Sequence, residues 1–141
     1  MNSFVVDASV AAKWFADEPH SGQALRLLES GDRLYAPDFL LLEMDSLACK
    51  WMRRGLVSAK EAKEFRRVLR LQNIRYHPAA SLAAPAFEIA SATQRSFYDC
   101  LYLALAVALK APMVTADKRL FRAISASPLA EHILWIGDLA A

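Results

Sequence analysis

Short apolar runs alternate along this chain with longer segments whose apolar residues recur at the period of an α-helix. The short runs are bounded by turn residues and predict strands at 3–6, 33–37, 74–77, 111–117 and 132–137. The longer segments predict helices at 7–18, 20–30, 38–54, 58–72, 79–93, 96–109 and 118–125. Because strands that alternate with helices favour a parallel sheet, we expect an α/β fold with a central sheet of about four to five strands and helices on both faces.

Capping residues support several of these helix boundaries. Asp38 precedes the helix at 38–54 as a candidate N-cap, and Gly55 ends it. Ser58 with Glu61, and Ser96 with Asp99, have the spacing of a capping box, in which each residue satisfies a backbone N–H of the other.

The helix predicted at 96–109 is apolar nearly all round, as is typical of a helix inside a domain, yet its first turn contains Asp99. One interpretation is structural, because the capping box and the helix dipole both favour an acid there. The other is functional, because a carboxylate removed from water needs a cation or hydrogen-bond donors. Taken alone, the segment favours the structural interpretation.

Three further acids favour the functional interpretation of Asp99, because their predicted positions converge with it. In an open parallel sheet, sites form outside the carboxyl ends of the strands. Asp7 directly follows the strand at 3–6, and Asp117 follows the strand residues 113–115, although each is also a candidate N-cap. Glu43 interrupts the apolar face of the helix at 38–54, where no cap explains it.

A divalent cation is the expected partner of these acids. Carboxylates that lie close together repel one another and raise each other's pKa. Mg²⁺ and Mn²⁺ prefer carboxylate and water oxygens, and Mg²⁺ keeps much of its water for substrate phosphates. We therefore expect Mg²⁺ or Mn²⁺ to bind among Asp7, Glu43, Asp99 and Asp117.

Length and composition exclude several other classes of protein. The 141 residues predict one domain, at 1–141, and no apolar run reaches the roughly 18 residues of a membrane span. The N-terminus carries no signal-peptide pattern, so we expect a cytoplasmic protein. Cys49 and Cys100 lie in apolar helical patterns and are expected to pack in the core, and the three histidines match no ligand spacing. The net charge of +2 indicates no strong global field for nucleic acid.

Four segments of the chain together resemble the PIN-domain ribonucleases, specifically the VapC-type toxins of toxin–antitoxin systems. The segments are VVDASVAAKWF, APDFLLLEMDSLACKWMRRG, SFYDCLYLALA and VTADKRLFRA. The resemblance implies a single PIN-like domain, an endoribonuclease that depends on Mg²⁺ or Mn²⁺, a homodimer, and inhibition by a cognate VapB-type antitoxin. One position departs from the pattern, since Ser46 stands where many members carry Asn.

Each candidate site residue can be assigned a role in the hydrolysis of a phosphodiester. A bound metal lowers the pKa of a water and polarises the phosphoryl oxygen. We interpret Asp7 and Asp99 as the principal metal ligands, while Glu43 and Asp117 complete the pocket directly or through water. Ser9 and Thr115 either hold a carboxylate in place through hydrogen bonds or are ordinary hydroxyls at a helix start and a strand end.

Other charged and aromatic residues have simpler interpretations. Asp45 is expected to be solvated or salt-bridged, and the basic helix at 58–71 to be mainly a solvated face that alternatively contacts RNA phosphates. Lys13, Lys118 and Arg119 begin nearer the acids and are further candidates for RNA contact. The apolar Trp51 and Met52 beside the basic helix suggest a surface covered by another chain.

Two alternative functions remain open from the sequence. An Asp-dependent phosphotransfer domain also places an acid after its first strand, but the phosphatase pattern needs a second Asp where this chain has Ser9. A non-catalytic PIN-like binding module is the other alternative, and the presence of all four acids argues against it.

Overall fold

A parallel five-stranded sheet forms the centre of the protein. The computed structural model describes residues 1–140, so Ala141, the end of the predicted domain, lies outside the described part. The strands are β1 (Ser3–Val6), β2 (Arg33–Pro37), β3 (Ile74–His77), β4 (Met113–Thr115) and β5 (Ile133–Trp135). The helices are α1 (Ala8–Ala11), α2 (Ser21–Glu29), α3 (Phe39–Arg53), α4 (Ala59–Leu71), α5 (Ala83–Thr93), α6 (Phe97–Leu109) and α7 (Lys118–Ser125). The predicted α/β class, with about four to five parallel strands, is confirmed.

The strand order β3-β2-β1-β4-β5 determines where a site can form. From β1 the chain builds the sheet outward through β2 and β3, and then returns to place β4 on the other side of β1. Val5 pairs with Met113 and Val6 with Val114, so Asp7 and Thr115 follow side by side at the carboxyl ends of the two central strands. Such a reversal of strand order opens a crevice at the carboxyl edge of the sheet.

Helix α6 packs across the centre of this sheet, against β1, β2 and β4, with α5 alongside it. Residues 100–106 are all buried, which explains why this helix is apolar around its circumference. The first turn of α6 reaches the carboxyl edge of the sheet, and it brings Asp99 there.

The capping predictions have mixed outcomes. Ser58 and Glu61 form the complete capping box that begins α4. Asp38 does precede α3, but its side chain makes no bond to that helix and instead accepts the backbone N–H of Ala79 at 2.8 Å. Asp38 itself has helical backbone angles, so it cannot present its carboxylate to the first turn in the way that an extended N-cap does.

The helix predicted at 7–18 is shorter in the structure. It consists of α1 and a 3₁₀ turn at Ala12–Trp14, after which the chain turns toward α2. The indole N–H of Trp14 donates to the carbonyl of Ala24 on α2 at 2.9 Å, so a tertiary contact replaces the continued helix.

The expectation for the two cysteines is right for one and wrong for the other. Cys100 is buried in the core, whereas Cys49 is exposed, and both are free thiols. On α3 the buried positions are Leu40, Met44 and Ala48, and the residue after Ala48 is turned by about 100° away from that face. Within residues 1–140 no helix has the length and apolar character needed to cross a membrane.

Candidate functional site

Asp7 lies at the centre of the site, at the carboxyl end of β1, and is only 6% exposed. Its Oδ1 accepts the Ser9 hydroxyl at 2.6 Å and the backbone N–H of Val10 at 3.1 Å, and its Oδ2 accepts the Thr115 hydroxyl at 2.7 Å. Burial raises the pKa of Asp7 from 3.8 to about 6, although the three hydrogen bonds offset part of this effect. The charge of Asp99 raises this pKa further.

Ser9 and Thr115 connect the ends of β1 and β4 through this carboxylate. Besides donating to Asp7, the Ser9 hydroxyl accepts the backbone N–H of Ala116 at 2.9 Å, and the Thr115 hydroxyl accepts that of Asp117 at 3.1 Å. Each hydroxyl therefore has its donor and acceptor functions satisfied, which fixes the carboxylate relative to both strands.

Glu43 reaches the same region from α3. Its Oε1 accepts the hydroxyl of Tyr102 at 2.5 Å, and Tyr102 lies on α6 with only 1% of its surface exposed. Burial raises the pKa of Glu43, the bond from Tyr102 lowers it in part, and the charges of Asp7 and Asp99 raise it further. Burial and the Glu43 carboxylate also raise the pKa of Tyr102, so its hydroxyl stays protonated and acts as a donor.

Asp99 is half-buried in the first turn of α6, and the structure limits its capping role. The Ser96 hydroxyl accepts the Asp99 backbone N–H at 3.1 Å, but the Asp99 carboxylate does not return a bond to the Ser96 backbone, unlike Glu61 in the Ser58 box. Burial raises the pKa of Asp99; the Ser96 hydroxyl lowers it, the charge of Asp117 raises it, and Arg95 lowers it. The carboxylate of Asp99 is therefore available for another partner.

Asp117 combines two roles that the sequence had offered as alternatives. Its Oδ1 caps α7 by accepting the Leu120 backbone N–H at 3.1 Å, and it is close enough to Asp99 to raise the pKa of that carboxyl.

The four acids thus come from four elements and interact electrostatically at one edge of the sheet. Within residues 1–140, no three acidic, imidazole or thiol groups are as close together as the direct ligands of a bound metal. The donor chemistry nevertheless fits Mg²⁺ or Mn²⁺, because all the available groups are carboxylate and hydroxyl oxygens. Mg²⁺ is commonly held by one or two carboxylates and several waters, so a fully closed set of protein ligands is not required.

A cleft of about 370 Å³ extends from Glu43 between α1 and α3. Its lining includes Ser9, Glu43, Ser46 and Lys50, together with the small side chains of Ala8 and Ala12. The cleft is thus acidic at one end and basic at the other.

Sequence reasoning missed two residues of this region, Tyr102 and Lys50. Tyr102 follows Asp99 by three residues, a spacing that places both on one helix face, and this spacing was the available signal. Lys50 follows Glu43 by seven residues, again two turns along one face of α3.

The ion pairs of Asp45 and of α4 match the expectation of a salt-bridged helix face. Asp45 forms ion pairs with Arg66 and Arg70 of α4, at 2.8 and 3.0 Å. Arg67 pairs with Glu64 on the same helix. Much of the basic charge of α4 is therefore engaged with carboxylates, as expected for a solvated and salt-bridged face.

The fold and the acidic edge of the sheet together define a known class of protein. The family model for the PIN domain matches residues 4–126. The chain therefore belongs to the PIN domain family.

The chain is also similar to individual proteins of known name or structure. The chain is 30% identical over 118 residues to ribonuclease VapC3 of Pyrobaculum aerophilum, a match that covers 82% of this chain and 90% of the relative. Among solved structures it is similar to PAE2754 of Pyrobaculum aerophilum, with a TM-score of 0.70, 18% identity and coverage of 96% of this chain and 85% of the other. It is also similar to a chain of a toxin–antitoxin complex from Klebsiella pneumoniae, with a TM-score of 0.67, 14% identity and coverage of 93% and 95%. At these identities the two structural matches concern the fold.

The bond from Tyr102 to Glu43 gives a stability prediction. Tyr102→Phe removes the donor and leaves a half-buried carboxylate without its hydroxyl partner, so we expect unfolding to require about 1–2 kcal/mol less free energy in urea titrations. Tyr76→Phe is the matched control, because the Tyr76 hydroxyl has no hydrogen-bond partner within residues 1–140, so this variant should not lower the unfolding free energy. Equal stability of Tyr102→Phe and wild type would show that the bond contributes nothing.

The raised pKa of Asp7 gives a pH prediction. The folded protein holds this proton up to about pH 6, whereas the unfolded chain releases it near 3.8, so stability is lost as pH rises through that interval. One pKa unit corresponds to about 1.4 kcal/mol, which makes the loss about 3 kcal/mol in metal-free buffer. The quantity to measure is the unfolding free energy of wild type minus that of Asp7→Asn.

This difference should fall between about pH 4 and 6 and then level off, because the variant lacks the titrating group. A difference that stays constant over the whole range would contradict the raised pKa.

Proposed function

We propose that this chain is a metal-dependent endoribonuclease that hydrolyses RNA phosphodiester bonds and serves as the toxin of a type II toxin–antitoxin pair. The observation that carries the proposal is the convergence of Asp7, Glu43, Asp99 and Asp117 at the crevice between β1 and β4 in a PIN domain. Its likeness to a named VapC ribonuclease over 90% of that relative's length supports RNA as the substrate. PIN-family membership argues against the phosphotransfer alternative.

Each acid is assigned a role according to its surroundings. Asp7 and Asp99 would hold Mg²⁺ or Mn²⁺, and Asp117 would act directly or through water. The chemistry that the cation supplies is a water of lowered pKa and neutralisation of charge on the phosphoryl oxygen.

Glu43 is suited to orient the attacking water. Tyr102 occupies its Oε1, which fixes the plane of the carboxylate and leaves Oε2 to accept a hydrogen bond from the water. Ser9 and Thr115 keep Asp7 in one orientation, so that no rotation of its carboxylate is needed as the substrate binds.

The proposed partners are an RNA substrate, a VapB-type antitoxin and a second copy of this chain. A chain of similar fold occurs in a toxin–antitoxin complex, which supports an antitoxin as partner. The proposed setting is the cytoplasm, where RNA and the antitoxin are both present, and the proposed nuclease domain spans residues 1–141.

A cleavage assay tests the metal-dependent function. RNA should be cleaved in Mg²⁺ or Mn²⁺ and left intact in EDTA. Asp99→Asn should lower the cleavage rate more than about 100-fold, because even residues that act behind a metal ligand change activity by 10–100-fold. Asp17→Asn, at an exposed position outside the site, is the matched control and should cleave at the wild-type rate.

Three results would count against all or part of this proposal. Full activity in EDTA would exclude the metal mechanism. Wild-type turnover of Asp99→Asn would mean that this acid only belongs to the helix start. The absence of RNA cleavage by wild type under all metal conditions would instead favour a non-catalytic binding module.

The homodimer has its own prediction. Leu42 and Tyr98 are 64% and 56% exposed, and Tyr98 stacks on Phe39 at a centroid distance of 4.7 Å, so α3 and α6 share an exposed apolar patch. At micromolar concentration, light scattering should give twice the 15.7 kDa mass of one chain. Leu42→Lys should weaken the dimer and Leu71→Lys, at a position 68% exposed on α4, should not. A wild-type monomer would contradict the dimer.

A further inference from the structure

The basic end of the cleft between α1 and α3 has no assigned role in the reaction. Glu43, Ser46 and Lys50 line one wall, and they are spaced by three and four residues, so they lie on one face of α3. Ala8 and Ala12 on the opposite wall have short side chains, which leaves the cleft open. The rise of α3 separates Glu43 from Lys50 by about 10 Å along the helix axis.

Lys50 combines two features, because it lines the cleft and has no ion-pair partner among residues 1–140. Arg95, whose charge lowers the pKa of Asp99, also forms no ion pair within the described residues, but it does not line the cleft. Lys13 pairs with Glu18 at 3.5 Å, and the ammonium of Lys118 lies 5.7 Å from the centre of the Trp135 ring. Within residues 1–140, Lys50 forms no ion pair, and its side chain is exposed where it lines the cleft. An unpaired ammonium beside a cluster of acids attracts an anion that must approach those acids.

We propose that Lys50 and Ser46 form a phosphate-binding subsite for the RNA strand, next to the position where the strand is cleaved. This inference rests on the proposed ribonuclease function. Lys50 lies two turns from Glu43 on α3 and forms no ion pair with it, so we assign Lys50 to a phosphate that neighbours the reacting one on the same strand. The Ser46 hydroxyl is a donor beside it, and its small size leaves space in the cleft for the strand.

Phosphate binding by a lysine changes the way in which RNA affinity depends on salt concentration. Each phosphate that is neutralised releases condensed counterions, which contributes about 0.7 to the slope of log affinity against log salt concentration for a single strand. A lysine with only a structural role does not change that slope.

The test measures the binding of a fluorescent, single-stranded 20-nucleotide RNA of randomised sequence, in EDTA so that no cleavage occurs. Lys50→Gln should weaken binding about 3- to 10-fold at low salt and reduce the slope by about 0.7. Lys50→Arg should keep the wild-type slope. Lys110→Gln removes the same charge from an exposed position at the C-terminal end of α6, opposite to Asp99, and should bind as wild type does.

Kinetics in Mg²⁺ give a second readout. Lys50→Gln should raise KM and leave kcat within about twofold, because a contact remote from the reacting atoms contributes to substrate and transition state equally.

The results separate this inference from the proposed function. If wild type cleaves RNA but Lys50→Gln has the wild-type slope and KM, the subsite is wrong and the nuclease assignment stands. If Lys50→Gln and Lys110→Gln weaken binding equally, the effect is one of overall charge and the subsite is also wrong. If wild type neither binds nor cleaves RNA, both the function and the subsite fail.

Discussion

The buried Asp7 carboxylate is the constraint around which the site is built. A charged group with 6% exposure is unfavourable in a folded protein unless donors compensate it, and here a backbone N–H and two hydroxyls do so. Those donors come from α1 and from the end of β4, so the carboxylate bridges the two central strands. The bridge is possible because β4 returns to the side of β1, at the point where the strand order reverses. The chemistry of the site and the topology of the sheet therefore depend on each other.

Hydrogen-bond donors and helix N-termini beside the acids offset part of the repulsion among them. Asp7, Asp99 and Asp117 all lie at helix N-termini, where backbone N–H groups and the helix dipole favour negative charge. Glu43 lies inside a helix and lacks that support, and its compensation is the buried hydroxyl of Tyr102. The pKa values of Asp7, Glu43 and Asp99 remain raised, so the compensation is incomplete. This incomplete compensation supports the proposal that a divalent cation binds among the acids.

The features that the sequence predicted are those that depend on local pattern. The strand at 3–6 and the Ser58–Glu61 box follow from neighbouring residues alone, and the placement of Asp7 and Asp117 follows from the rule for strand ends. Three of the misses involve contacts between separate segments, whereas the exposure of Cys49 follows from the phase of its own helix. Asp38 bonds to Ala79, Trp14 bonds to Ala24, and the hydroxyl of Tyr102 meets a carboxylate 59 residues away. Only the assembled fold determines such pairs, and periodicity within a single segment does not contain them.

The basic side chains of α4 are kept apart from the acidic site. Asp45 lies two residues from Glu43 on α3, and it points to the opposite side, where it engages Arg66 and Arg70. The arginines of α4 are therefore held away from the acids and do not neutralise them. On the cleft face of the same helix, Lys50 stands two turns from Glu43 and remains unpaired within the described residues. The side of α3 that faces α4 therefore carries the Asp45 ion pairs. The side that faces the cleft carries Glu43 and Lys50, which do not pair with each other. In the proposed function, an RNA strand that contacted this face would be attracted by Lys50 at one end of the cleft and would need a cation at the acids.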